Sequence, residues 1–161
     1  MEMLDVKFFK PFVDGALQTL KIQCSLEATP GKPFIRGQGP QLAIELAAII
    51  GLTCKAFNGN ITLCFPKVVF LEVMGGMLGE KFSEITKDLE DGACELLNII
   101  FGQAKAVLNT QGYNIEKAIP TIARGENLAS RALTKNPVFV LPFSTRVGDF
   151  HIEIASETSM A

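Results

Sequence analysis

The sequence predicts an α+β domain: a mostly antiparallel sheet with two long helices packed on it. Three observations lead there. Apolar residues recur at helical spacing near the start of the chain and again between Asp88 and Asn109. Short apolar runs bounded by Gly, Asn and Pro fill much of the remainder, as strands do. The last third reads as β and closes on a hairpin pattern. At 161 residues the chain has the length of a single domain, 1–161.

The first helix rests on Phe8, Phe9, Phe12, Val13, Ala16, Leu17 and Leu20, which make one broad apolar face. Pro11 is expected in its first turn, or as the residue where the helix starts. A turn-rich stretch, Ala28 to Pro33, links strand material on either side. Residues 41 to 56 are read as a strand, because Phe57-Asn58-Gly59-Asn60 follows as a hairpin turn signal and Ile61 to Phe65 as its partner. Pro66 opens a short helix, Lys67 to Leu78, whose end Gly75, Gly76 and Gly79 loosen. Phe82 to Lys87 connect to the long helix, with Asp88 as N-cap or first-turn residue. Gln111-Gly112 stops it. Ala118 to Ile122, with Pro120, makes an edge strand. Pro137 to Thr145 and Phe150 to Ala155 are strands around a turn at Val147-Gly148-Asp149, and Ser156 to Ala161 is a frayed tail.

Composition excludes several functions. A net charge of -2 does not suit a nucleic-acid binder, which needs a basic surface. Leu42 to Cys54 is too short to span a bilayer and carries Glu45, and MEMLDVKFFK lacks the pattern of a secretory leader. The expected location is the cytoplasm, without membrane contact. Cys24, Cys54, Cys64 and Cys94 form no CxxC pair, so they read as small buried hydrophobes and no metal site is expected. His151 is the single histidine, in an alternating strand-like run. It reads as structural or solvated, and no Ser-His or Cys-His pair is patterned.

The polar side of the long helix is informative. With Asp91 at zero and about 100° per residue, Glu95 lies near about +40°, Asn98 about -20°, Gly102 about +20° and Lys105 about -40°. Ala93, Leu96, Leu97, Ile99, Ile100, Phe101, Ala104, Val107 and Leu108 make the rest apolar, which leaves a narrow polar seam on a buried helix. A merely wet stripe would favour long, helix-forming side chains. This one has Asn98, and Gly102 costs about 1 kcal/mol relative to Ala. A glycine there suggests close approach to the backbone. Glu95 and Asn98, at i and i+3, project side by side as an anionic acceptor and a neutral donor-acceptor.

The run Asp91-Gly92-Ala93-Cys94-Glu95-Leu96-Leu97-Asn98-Ile99-Ile100-Phe101-Gly102-Gln103-Ala104-Lys105 resembles the signature helix of the CheX/CheC/FliY family of chemotaxis phosphatases, D-x-x-x-E-L-x-N-x-x-x-G-x-A-K, and looks most like the CheX branch. Every fixed position is met. The resemblance implies a pseudo-two-fold CheC/CheX-like fold and removal of the aspartyl phosphate of a phosphorylated CheY-like receiver domain. Asn98 would orient the attacking water and Glu95 would pair with the receiver's lysine. Asp91, Gly102 and Lys105 would complete the partner surface. Mg2+ would belong to the receiver, so the chain would need no cofactor of its own. The branch is dimeric, with a sheet continued across the subunits. The chemistry suits these residue types, since phosphoryl transfer needs positioning more than a strong base, and a neutral carboxamide holds a water without repelling the phosphoryl group.

Asp14-Gly15-Ala16-Leu17-Gln18-Thr19-Leu20-Lys21 aligns with Asp91 to Asn98, with Gln18 in the place of Glu95 and Lys21 in that of Asn98. The first copy thus lacks both chemical groups, and one active helix is expected. The competing reading is a non-catalytic receiver-binding or flagellar-switch module using the same seam.

Overall fold

In a computed structural model, which describes residues 6–54, 58–117, 119–124 and 137–156, three helices lie on one face of a single antiparallel sheet. The elements are α1 (Val6–Cys24), β1 (Thr29–Pro30), β2 (Phe34–Ile35), β3 (Leu46–Thr53), β4 (Asn58–Phe65), α2 (Lys67–Leu78), α3 (Lys87–Thr110), β5 (Glu116–Lys117), β6 (Thr121–Arg124), β7 (Val138–Thr145) and β8 (Gly148–Ser156). The described strands follow the order β1-β7-β8-β4-β3-β5, with β2 also on β7 and β6 also on β3. Among the described residues, no helix is long and apolar enough to cross a membrane.

Strand alternation decides which side chains face the helices. Leu46, Ala48, Ile50 and Leu52 of β3, Ile61, Leu63 and Phe65 of β4, and Phe150, Ile152 and Ile154 of β8 join the main core. Phe143 of β7 stacks on Phe150 with ring centroids 4.8 Å apart, and Phe65 lies 5.2 Å from Phe150. On the helical side, Phe12 of α1 meets Phe101 of α3 edge-on at 6.1 Å, which fixes the two long helices to each other.

Helix bounds follow local chemistry. Thr86, not Asp88, caps α3: its Oγ1 accepts from the Leu89 N–H at 3.3 Å, and Asp88 and Glu90 occupy the first turn. Pro11 lies inside α1 rather than in its first turn. The Lys67 N–H at the start of α2 donates to Glu45 Oε1 at 2.8 Å, so a carboxylate from the segment before β3 serves that helix end. Gly79, at φ 74°, ends α2 in a left-handed cap. Gly76 does more than loosen the helix: a Cβ there would lie 1.9 Å from the Cys24 carbonyl oxygen, so it permits α2 to meet the end of α1.

The strands differ from expectation mainly at their ends. β3 starts at Leu46 rather than 41, because Gln41 to Glu45 cross the far side of the sheet. Asn58, Gly59 and Asn60, expected in the hairpin turn, are instead paired with Thr53, Leu52 and Gly51 in the ladder; Phe57 lies outside the described residues, as do 55 and 56. Pairing to β3 resumes at Thr121 after Pro120, so of the strand expected over Ala118 to Ile122 only Thr121 and Ile122 are paired, in β6, while β5 precedes it; Ala118 itself lies outside the described residues. Gly148 and Asp149 belong to β8, and Ser156 is buried at its end; residues 157–161 lie outside the description. Pro142 sits within β7. Its carbonyl accepts from the Gly31 N–H at 2.9 Å, so its missing N–H is on the β1 side and the β7–β8 ladder loses nothing.

Candidate active site on the third helix

Helix α3 buries Leu89, Ala93, Leu96, Leu97, Ile100, Phe101, Ala104 and Leu108. The opposite face carries the five seam residues. Asp91, Glu95 and Gly102 are exposed, and Asn98 and Lys105 are half-buried. The fold therefore brings all five to the outer side of one rigid helix. Glu95 has no ion pair with another described residue, whereas the neighbouring Glu90 is held by Arg124 Nε at 3.0 Å. Glu95 is thus available to a cation on another molecule.

The seam is wider than the sequence implied. Gln103 and Ala106 are exposed, and Val107, expected on the apolar side, is 46% exposed. These residues border a groove of about 630 Å³ between the two long helices, lined also by Lys10, Asp14 and Gln18 of α1. Between the two long helices the close backbone approach lies at Gly15, not at Gly102. A Cβ on Gly15 would stand 3.2 Å from the Ile100 carbonyl, while one on Gly102 would meet nothing within 4 Å. Gly102 is open space on the surface, so no packing within the described chain asks for a glycine there.

Cys94 lies in the signature next to Glu95. Burial pushes its thiol up, and Asp91 and Glu90 push it further. A nucleophilic cysteine needs a lowered pKa, so this thiol is not placed for covalent phosphatase chemistry. The arrangement offers a carboxylate and a carboxamide on a surface, suited to docking and orienting rather than to forming a covalent intermediate.

A second polar group was missed in the sequence. On the sheet face opposite the helices, His151 and Glu153 of β8 are buried, with His151 Nε2 2.9 Å from Glu153 Oε2. Arg36, just beyond β2, donates to Glu153 Oε1. Burial pushes the Glu153 carboxyl up, but the hydrogen bonds from His151 and Arg36 outweigh it and hold the group below the usual carboxylate range. Cys64 of β4 is paired directly with His151, and burial pushes its thiol well up. His151 is thus structural rather than solvated. The only sequence signal for the group was the i, i+2 spacing of His151 and Glu153 in a strand.

Comparison with known proteins agrees with this architecture. Residues 46–144, more than half of the chain, match the family described as chemotaxis phosphatase CheX. A CheC-like superfamily protein from Shewanella sp. PV-4 is 31% identical, with a TM-score of 0.86 over 96% of this chain and 100% of that one. The chemotaxis protein CheX from Vibrio vulnificus is 28% identical, with a TM-score of 0.85 over 93% and 99%. The CheX of a CheX–CheY–BeF3–Mg2+ complex from Borrelia burgdorferi shares the fold at 21% identity, with a TM-score of 0.74 over 96% and 100%. No curated protein matches the chain in sequence. The signature helix lies within the matched residues, on the exposed side of a fold shared along nearly the whole chain, and the chain belongs to the CheX family of chemotaxis phosphatases.

Proposed function

We propose that this protein hydrolyses the aspartyl phosphate of a phosphorylated CheY-like receiver domain, using the seam of α3. The observation that carries the reading is the pairing of Glu95 and Asn98 on the outer face of that helix. Asn98 orients the attacking water in line with the phosphoryl group, and its neutral carboxamide adds no repulsion. Glu95 docks on the receiver's lysine. Asp91, Gly102 and Lys105 contribute the surrounding contact surface. A Borrelia relative of the same fold forms a complex with CheY, BeF3 and Mg2+, which supports a receiver as partner. The same family reading carries a homodimer, whose continued sheet would have to extend from the short edge strands β1 and β2 or β5 and β6.

The test is the decay of a phosphorylated CheY-like receiver with and without the protein. Wild type should accelerate decay, and Asn98→Ala should remove the acceleration without loss of fold. Glu95→Ala should weaken receiver binding. Full acceleration by Asn98→Ala would sink the assignment of Asn98. Binding by wild type with unchanged phosphate lifetime would leave a receiver-binding module instead.

A further inference from the structure

We propose that Cys64, His151 and Glu153 form a binding site for a thiophilic divalent cation, Zn2+ being the natural occupant, on the sheet face opposite the signature helix. The three side chains come from adjacent paired strands: Cys64 stands opposite His151, and Glu153 follows two residues on along the same face. All three are buried, and one ligand atom from each lies within 4.8 Å of the others. Donors bound to one tetrahedral Zn2+ at about 2.0–2.3 Å lie roughly 3.3–3.8 Å apart. Side-chain rotation is the route by which the three donors would close on an ion.

The donor set has the right chemistry. Thiolate and imidazole select Zn2+ over Mg2+ and Ca2+, and a carboxylate is a third accepted Zn2+ ligand. His151 points to a ligand independently. Its Nδ1 is buried without a hydrogen-bond partner among the described residues, and its Nε2 faces Glu153 Oε2 at 2.9 Å. With the ring proton on Nδ1, Nε2 is bare beside the carboxylate oxygen, and a cation taken between the two satisfies both. Arg36 donates to Glu153 Oε1 and leaves Oε2 for the metal, the kind of outer contact that orients a ligating carboxylate.

The entering cation displaces the Cys64 proton to solvent. The ion, thiolate and carboxylate then sum to zero, and the part-exposed Arg36 adds one positive charge at the rim. His151 and Glu153 also line a cavity of about 470 Å³ beneath Phe34, Gly37 and Pro40, which leaves room for water or a small ligand in the fourth position. The expectation of no metal rested on the lack of a CxxC pair. Strand pairing supplies instead a ligand set spread over 90 positions of sequence (64 to 153).

The test uses the full chain, reduced, with Zn2+ and Co2+ as probes. After dialysis against Zn2+, one equivalent should remain. Co2+ should give a thiolate-to-cobalt charge-transfer band that Cys64→Ser removes and Cys94→Ser keeps. His151→Gln should weaken Zn2+ binding by more than about 10-fold. X-ray absorption on the wild-type zinc form should show one sulfur among nitrogen and oxygen neighbours, which keeps the test independent of how the variants fold. No stoichiometric binding, a band that survives Cys64→Ser, or a zinc shell with no sulfur or several sulfurs would each overturn the proposal.

Discussion

The protein carries two polar groups on opposite sides of one sheet, and they are built in opposite ways. Glu95 and Asn98 stand on the outer face of α3, with the hydrophobic side of that helix locked into the core beneath them. His151 and Glu153 are buried, bonded to each other and to Arg36. The first pair can be changed at less cost to the fold, because it lies on the outer side of the helix and neither side chain is buried. The second cannot, because a buried charge that loses its partner has nowhere to turn. Function on a surface and order in an interior thus separate cleanly between the two faces.

The comparison breaks first, and with the largest effect, if Asn98→Ala is harmless. That variant should cut receiver dephosphorylation by about 100-fold or more, since misplacing one reacting group costs that much, while its melting temperature stays near wild type. A melting temperature that falls together with activity would show that Asn98 holds the helix rather than the water.

Glu153→Ala is the mirror experiment. It strips the carboxylate from Arg36 and His151 and should cost about 2–3 kcal/mol, roughly 4–12 °C in melting temperature. Receiver dephosphorylation by the folded fraction should be unchanged. Partners hold the Glu153 carboxyl low. Its stabilisation is therefore present above the unfolded carboxylate value of about 4.3 and is lost as pH falls through the lower folded value. The gap between wild type and variant, measured by denaturant unfolding in chelator, should close in that acidic window. A constant gap down to the acid limit would assign the loss to packing instead.

Smaller effects sharpen the picture of α3. Thr86→Ala removes the helix cap and should cost about 1 kcal/mol, read by urea unfolding; no change would mean that the first turn is held by other contacts. Gly102→Ala should stabilise by about 0.5–1 kcal/mol, because nothing in the described chain lies near the added methyl. If a receiver packs against that backbone, the same variant should bind it more weakly. A variant that is more stable and equally active would show that the glycine serves no partner.

What could be read in the sequence divides along the same line. α2 was legible to the residue, since Pro66 and Gly79 punctuate it locally, and α3 to within two residues. The seam was legible because a helix places residues 91 to 105 by a fixed rotation. Its breadth was not, since the exposure of Val107 depends on where α1 crosses. The expected approach at Gly102 was found instead at Gly15, where α1 meets the Ile100 carbonyl. The buried group was illegible for a stronger reason: Arg36, Cys64 and Glu153 meet through strand order, and the order β7-β8-β4-β3 is a long-range property that no local window contains.

That strand order has one more consequence. The four long strands, β3, β4, β7 and β8, all run between neighbours, while the edges are held by β1, β2, β5 and β6, of two to four residues each. Pro142 removes a donor on the side that faces one of those edges. A chain with a mean hydropathy of +0.28 carries several sticky segments that could template fibrils if they lay open. Here each lies between neighbours, so among the described residues no long strand is open at an edge. The short strands act as selvage on the cloth: they add little strength and keep the edge from catching.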